Sequence, residues 1–251
     1  MIERKVLIAT GVCVFLFFVL IGVPARVIGS LLPDDTVVVM GTSGTLWNGS
    51  AQSVQVAGIQ LREVKWNLHA LPLLIGRVSL TLDAKWSNGF VRGDVAAGLG
   101  GSLSLSDVEV TGSLAPILGR MNLPAAGGEI SLDLQLAELE DLWPTQLIGT
   151  LRVGRVPLSM IGVSGGVMGN YTLKFDVTEV GADGVIPGVL QDGGGPLEIL
   201  GELRLTPPAN YTIEARIKAR PDAPAELVQG LALAGPKLPD GSHSFEMTGS
   251  L

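Results

Sequence analysis

Beyond residue 35 the apolar positions fall two apart. Val54, Val56, Ile59 and Leu61 stand between polar neighbours. The commonest unit is a glycine followed by alternation. It runs GRVSLTLD from Gly76, GSLSLSD from Gly101, GEISLDL from Gly128, GTLRVG from Gly149 and GELRL from Gly201. Two further runs, NYTLKFDV from Asn170 and NYTIEARI from Asn210, alternate in the same way. Side chains two apart share one face of a strand, so each run predicts a half-buried strand. Glycine at the boundary permits the positive φ of a tight turn. Strands at this spacing predict an all-β meander, sandwich or curved sheet.

A few stretches break the period. Leu71–Gly76 (LPLLIG) has the length of one helical turn. Leu114–Met121 suits a short helix stopped before Pro124. Pro224–Gly235 suits a longer one, with Asp222 ahead of it, Pro224 in its first turn and Gly235–Pro236 at its end. Gly181–Pro196, dense in glycine, reads as a long loop or a joint between two parts of the sheet.

The N-terminus follows another rule. Val6–Val23 carries no charge. As a helix it would reach roughly 27 Å, close to a bilayer core of about 30 Å. Arg4 and Lys5 precede it, which places the N-terminus in the cytoplasm by the positive-inside rule. Val23 and Ala25 also fit a signal-peptide cleavage site, but the apolar run exceeds the about 7–15 residues of a signal core. Both readings export the rest of the chain. The expected organisation is a cytoplasmic 1–5, a transmembrane helix 6–28 and a periplasmic β-rich body 29–251, with a joint near 181–196.

Composition narrows the function classes. Of 251 residues, 47% are hydrophobic and 16% charged, which excludes a disordered chain. The net charge is −7 without a Lys/Arg cluster, so nucleic-acid binding is not expected. The single cysteine, Cys13, lies in the apolar run, and the body therefore has no disulfide of its own.

Catalytic and metal motifs are weak. His69 and His243 sit in no metal-ligand spacing, and a surface or turn role is the plainer account of each. GVSGG from Gly162 and GGG from Gly193 lack the Lys-Ser/Thr of a phosphate loop and read as turns. Glu138, Glu140 and Asp141 suit a solvated turn before Trp143–Pro144 better than a cation site. Asn48, Asn170 and Asn210 open glycosylation sequons, two of which are simply strand starts. No catalytic, metal or cofactor-binding residue is assigned, and no enzymatic activity is expected.

The element that stands out is Met40–Val54, MGTSGTLWNGSAQSV, with a second tryptophan at Trp66. A Trp beside an Asn-Gly turn can fold back on a sheet while its N–H finds a partner. Gly44, Thr45, Leu46, Trp47, Asn48, Gly49 and Trp66 are the candidate interaction element. The plainer account is a first hairpin whose Trp residues close one end of the core.

These residues, in this order, resemble the protein N family of bacterial type II secretion systems. The resemblance rests on the N-terminal anchor, on GTLWNGSA (Gly44–Ala51), on the stretch from Trp66 to Val78 with its W-x-L and L-P-x-x-L-x-G spacing, and on the closing Pro239–Leu251. It implies a single-pass inner-membrane protein of a Gram-negative bacterium, its bulk in the periplasm. It implies a non-enzymatic accessory role in export of folded proteins across the outer membrane, with other secretion components (inner-membrane platform or secretin) as partners. No cofactor is implied. By fold analogy such anchored β bodies resemble the curved sheets of AsmA-like envelope proteins. The expected fold is thus mainly β: one N-terminal transmembrane helix, then a curved, mostly antiparallel β-sheet body with a few short helices. The alternative function is an envelope lipid-binding or lipid-transfer protein with an apolar groove.

Overall fold

The computed structural model describes residues 22–27, 37–56, 59–116, 127–156, 167 and 169–250. The chain divides into two compact units, Met1–Trp86 and Ser87–Leu251. Nearly all of Val6–Val23 lies outside the described residues, as do most of Leu114–Met121 and all of Gly162–Gly166. Among the described residues no helix is long and apolar enough to cross a membrane. The helix expected through residue 28 does not include Ala25–Val27, which form a single 3-10 turn.

The first unit holds β1 (Val37–Met40), β2 (Ser43–Gly44), β3 (Asn48–Val56), β4 (Ile59–His69), the short helix α1 (Ala70–Leu73) and β5 (Arg77–Trp86). All strand pairs are antiparallel: β1 and β2 on β3, β3 on β4, β4 on β5. Ala25, Ala51, Val64, Trp66 and Ala84 form its buried cluster, with Val54, Leu61, Leu80 and Leu82 against it. The period slips inside β4. Ile59 and Leu61 are inward, then Val64, Trp66 and Leu68. A bulge between Arg62 and Lys65, with Glu63 at φ 50°, absorbs the extra residue. Leu61 and Val64, three apart, therefore reach the same cluster.

The second unit is an antiparallel meander in which each strand pairs with its sequence neighbours. Its strands are β6 (Gly89–Gly98), β7 (Leu103–Ser113), β8 (Glu129–Glu140), β9 (Trp143–Gly154), β10 (Tyr171–Val177), β11 (Ile186–Asp192), β12 (Leu197–Thr206), β13 (Asn210–Ala219) and β14 (His243–Ser250). The helix α2 (Ala225–Ala234) connects β13 to β14. Its Leu227 and Leu231, four apart on one face, bury against Leu197, Ile199, Ile217 and Ala219.

The alternating runs are strands, and both Leu71–Gly76 and Pro224–Gly235 contain a helical element as expected. One expectation is corrected. Gly181–Pro196 is not a long loop, because β11 runs through it and pairs on both sides. Nor does the unit boundary fall there; it lies between Trp86 and Ser87. Pro187 and Gly188 hide the strand, since neither is a strand former. The period nevertheless survives in Ile186, Gly188 and Leu190, which face Leu205, Leu203 and Gly201.

Candidate functional site

The site is built on the turn between β2 and β3. Gly44 takes φ 83°, a left-handed conformation that a glycine adopts without strain. The chain then reverses through Thr45. The Thr45 N–H donates to the Asn48 carbonyl at 2.9 Å, and the Asn48 N–H donates to the Thr45 hydroxyl at 3.1 Å. Leu46 and Trp47 project from this loop as a clasp.

Three hydrogen bonds fix what the clasp holds. The Leu46 N–H donates to the Val23 carbonyl at 2.8 Å. The Trp66 indole N–H donates to the Leu46 carbonyl at 3.0 Å. The Leu68 N–H donates to the Trp47 carbonyl at 2.7 Å. Pro24 adds an antiparallel bridge to Thr45, and Ala25 is buried in the cluster with Trp66. Extended-chain reach allowed roughly 70 Å between the end of the apolar run and the first hairpin. The structure brings the two into direct contact.

Gly49 explains how Trp66 fits. A methyl group there would lie 2.3 Å from Trp66 Cζ2 and 2.7 Å from the Thr45 carbonyl oxygen. The Trp66 ring therefore packs directly against the Gly49 backbone. Of the candidate interaction residues, Gly49 and Trp66 are buried and hold the element together. Thr45, Leu46 and Trp47 are half-buried, while Gly44 and Asn48 are exposed. The partnership of Val23, Pro24 and Ala25 with this element had no signal in the periodicity. A proline and a small residue after an apolar run were the sole clue.

The second unit carries a different feature, a sheet with two opposed faces. One row crosses the strands as Val110, Leu132, Leu151, Leu173 and Leu190. The adjacent row, on the other face, reads Glu109, Asp133, Thr150, Lys174 and then, past Val189, Glu202 and Glu214. Leu132, Leu151, Leu173 and Leu190 are all half-buried. Helix α2 packs on the apolar face at the strand ends carrying Ile199 and Ile217. Leu114 and Val156 pack on Ile130 and Val153 at that same end.

Polar groups enter the apolar face where it is stitched shut. Asp192, with 8% of its side chain exposed, accepts from Arg220 at 2.7 Å, from the Gly194 N–H at 3.0 Å and from the Ile199 N–H at 3.3 Å. Burial alone would raise its pKa. The Arg220 guanidinium and the two backbone donors outweigh that and hold the carboxyl below its usual range. Arg220 also donates to the Gly195 carbonyl at 2.6 Å. The GGG run is thus a turn tied by its own ion pair, and the Asp192 carboxylate takes the donor that a phosphate loop would offer. Opposite Asp192, burial and the nearby carboxylate push the Tyr171 phenol up to about 12.

The remaining chemistry is sparse. His69 Nδ1 lies 3.3 Å from the Ser79 hydroxyl at a strand end, and His243 Nδ1 lies 3.0 Å from the Gly235 carbonyl. Asp141 and Leu142 form the tight turn between β8 and β9, both at positive φ. Among the described residues no group of three His, Cys, Asp or Glu side chains is placed to hold a metal ion. A shallow cleft of about 660 Å³ in the second unit is lined by Glu129, Arg152 and Arg155 with backbone of β7 and β9, and Glu129 is ion-paired to Arg155.

The sequence model of the family described as "Type II secretion system (T2SS), protein N" matches residues 35–246. The chain belongs to this family. It is similar to the type II secretion system protein N of Aeromonas hydrophila, 27% identical over 262 residues, covering 98% of this chain and 97% of that one. The protein N of Vibrio cholerae is 26% identical, with 93% of each chain covered. That of Klebsiella pneumoniae is 24% identical, covering 94% of this chain and 92% of its own. No solved structure matches it. The family match contains the whole clasp, Trp66 and the strands of the amphipathic sheet up to β14. Family membership makes this chain a component of type II secretion.

Proposed function

We propose that this chain is a non-enzymatic accessory subunit of the type II secretion apparatus. Val6–Val23 crosses the inner membrane once, the N-terminus is cytoplasmic, and the β-rich body lies in the periplasm. There it assists export of folded proteins through contacts with other components of the apparatus. The observation that carries this reading is the clasp. Leu46 and Trp66 bind the chain at Val23 and Ala25, the point where the uncharged run ends. A span fixed this way orients the first sheet relative to the bilayer. Sheet edges are ready templates for a partner strand. β1, with Val38 and Met40 exposed, is the outermost strand of the first sheet among the described residues.

The test is a clean chromosomal deletion complemented with wild type or with a variant lacking Thr45–Asn48. Secretion of the folded substrates should fall in the deletion and stay low with the variant. Normal secretion in the deletion would remove the accessory role. Photo-crosslinking from Trp47, half-buried beside the clasp, identifies the component touched.

The two-faced second sheet favours a second reading, a lipid-binding or lipid-transfer role. A row of five Leu and Val side chains free of charge suits acyl chains. Mass spectrometry of the full chain purified in mild detergent should then find phospholipid in stoichiometric amount, and lose it in Leu151→Asp. Its absence from the wild type discards the reading.

A further inference from the structure

The β4–β5 connection is unlike the other surfaces of the first unit. Leu71 is 79% exposed, Leu74 84% and Ile75 79%. The loop is nevertheless well ordered by hydrogen bonds. The N–H groups of Leu74, Ile75 and Gly76 donate to the carbonyls of Leu71, Pro72 and Leu73 at 3.1, 3.1 and 3.0 Å. Positions i and i+3 stack in a turn of this kind, which puts Leu71 over Leu74 with Ile75 next in the chain. Three large apolar side chains therefore form one outward patch on a formed helical turn, while Leu73 faces inward half-buried. A water-facing loop gains nothing from such a patch, and a contiguous exposed apolar surface marks a contact.

Its position names the contact. The Leu68 N–H is bonded to the Trp47 carbonyl, and the Leu46 N–H to the Val23 carbonyl. Val23 and Leu68 are thus separated by two hydrogen bonds and one peptide step, a path of at most about 15 Å. Leu71 follows three residues after Leu68. The patch and the end of the uncharged Val6–Val23 run lie at the same end of one sheet. Arg26 and Arg77 are exposed at that end, and the half-buried Trp47, bonded through its carbonyl to Leu68, is at the same end. Residues 24–86, the part of the first unit beyond the apolar run, contain five Lys/Arg against four Asp/Glu, whereas residues 87–251 contain ten against nineteen. The cationic part of an acidic chain is the part next to the apolar run.

We propose that α1 and its turn are a second membrane contact: Leu71, Leu74 and Ile75 enter the headgroup and upper acyl region of the bilayer from which Val6–Val23 emerges. Arg26 and Arg77 meet lipid phosphates, and Trp47 occupies the interface, the usual combination for a segment lying on a bilayer. The inference rests on the reading of Val6–Val23 as a membrane span. Two attachments fix orientation where one leaves the body free to swivel about a single helix.

Depth-dependent quenching tests it on the full chain in vesicles of phosphatidylethanolamine and phosphatidylglycerol, with or without nitroxide-labelled lipid. One sample carries an environment-sensitive fluorophore on the native Cys13. Two others combine Cys13→Ser with Leu74→Cys or Gln60→Cys. Gln60 lies about 30 Å along β4 from the patch, by strand rise. The expected result is quenching of about twofold or more at 13 and 74 and little at 60, as for an interfacial segment. Quenching at 13 without 74 overturns this inference and leaves the span intact. No quenching at either overturns both. Quenching at 74 without 13 supports the contact and overturns the span. Equal quenching at 74 and 60 shows a body lying flat on the membrane and overturns the specific contact. Both engineered sites are exposed, so the cysteines leave the core unchanged.

Discussion

The indole N–H of Trp66 donates to the carbonyl of Leu46 across 3.0 Å, and the two residues lie twenty apart in sequence. Leu46 is at the same time bonded to Val23. One tryptophan therefore joins the middle of β4 to the chain leaving the apolar run. Replacing Trp66 with Phe keeps much of the ring but leaves the part-buried carbonyl without this donor. The expected cost is about 1 kcal/mol. Amide exchange at Leu46 should accelerate about fivefold, since 1.4 kcal/mol is a factor of ten. Unchanged exchange at Leu46 would show that the bond contributes nothing to the clasp.

Gly49→Ala tests the fit from the other side. Its methyl would lie 2.3 Å from the Trp66 ring and 2.7 Å from a backbone carbonyl, so the ring must leave its seat. Overpacking of this kind costs about 1–3 kcal/mol. Trp66 fluorescence should shift to the red, and proteolysis after Arg26 should speed up.

At Glu63 the prediction separates residue identity from residue count. With φ at 50°, Glu63→Gly relieves the backbone while losing an exposed ion pair to Lys85. That variant should fold as the wild type does. Deleting residue 63 leaves Leu61 and Val64 two apart, which keeps their face against β5 but shifts the unbroken β3–β4 register by one residue. Circular dichroism should show strand signal in both variants, with the deletion melting at a lower temperature than the substitution.

Asp192 and Tyr171 give the second unit limits at both ends of the pH scale. The Asp192 carboxyl titrates lower when folded than when unfolded. Its contribution is complete above the usual carboxyl value of about 3.9 and is lost as pH falls through the folded value. Asp192→Asn should cost about 1–2 kcal/mol at neutral pH, the low range for bonds to a charged group because Arg220 is one-third exposed. It should also flatten the acid limb of a stability curve. Tyr171 has the opposite sign. Its folded value of about 12 exceeds the usual 10, so its contribution is complete below pH 10 and disappears as pH rises towards 12. Tyr171→Phe should remove that alkaline loss. Stability profiles for the two variants that overlay the wild type would contradict the assignment.

How much of this was legible in the chain depends on the range of the interaction. Alternating Leu and Val in GEISLDL or NYTLKFDV report a strand because the side-chain period is local to it. Ile186–Asp192 escaped because Pro187 and Gly188 mask the period, and its strand character comes from two neighbours distant in sequence. The parity slip from Leu61 to Val64 was present in the sequence, but only the register against β5 shows it to be a bulge. GTLWNGSA advertised a special turn. Its grip on Val23 and Ala25 left only Pro24 and a small residue as a clue, since a hydrogen bond to a backbone carbonyl carries no side-chain signal.

The order of residues alone establishes the uncharged segment, the strand-rich body, the lack of recognised catalytic motifs and the family. Those follow from composition, short-range period and fixed residue order. The tertiary structure decided that Leu46 and Trp66 hold the end of the apolar run. It decided that side chains of five successive strands, from Val110 to Leu190, align in one apolar row opposite a mostly polar one. It also left Leu71, Leu74 and Ile75 outside every core. Burial is a property of what packs on a residue, and a leucine's letter is the same whether its partner is a sheet, a solvent or a lipid.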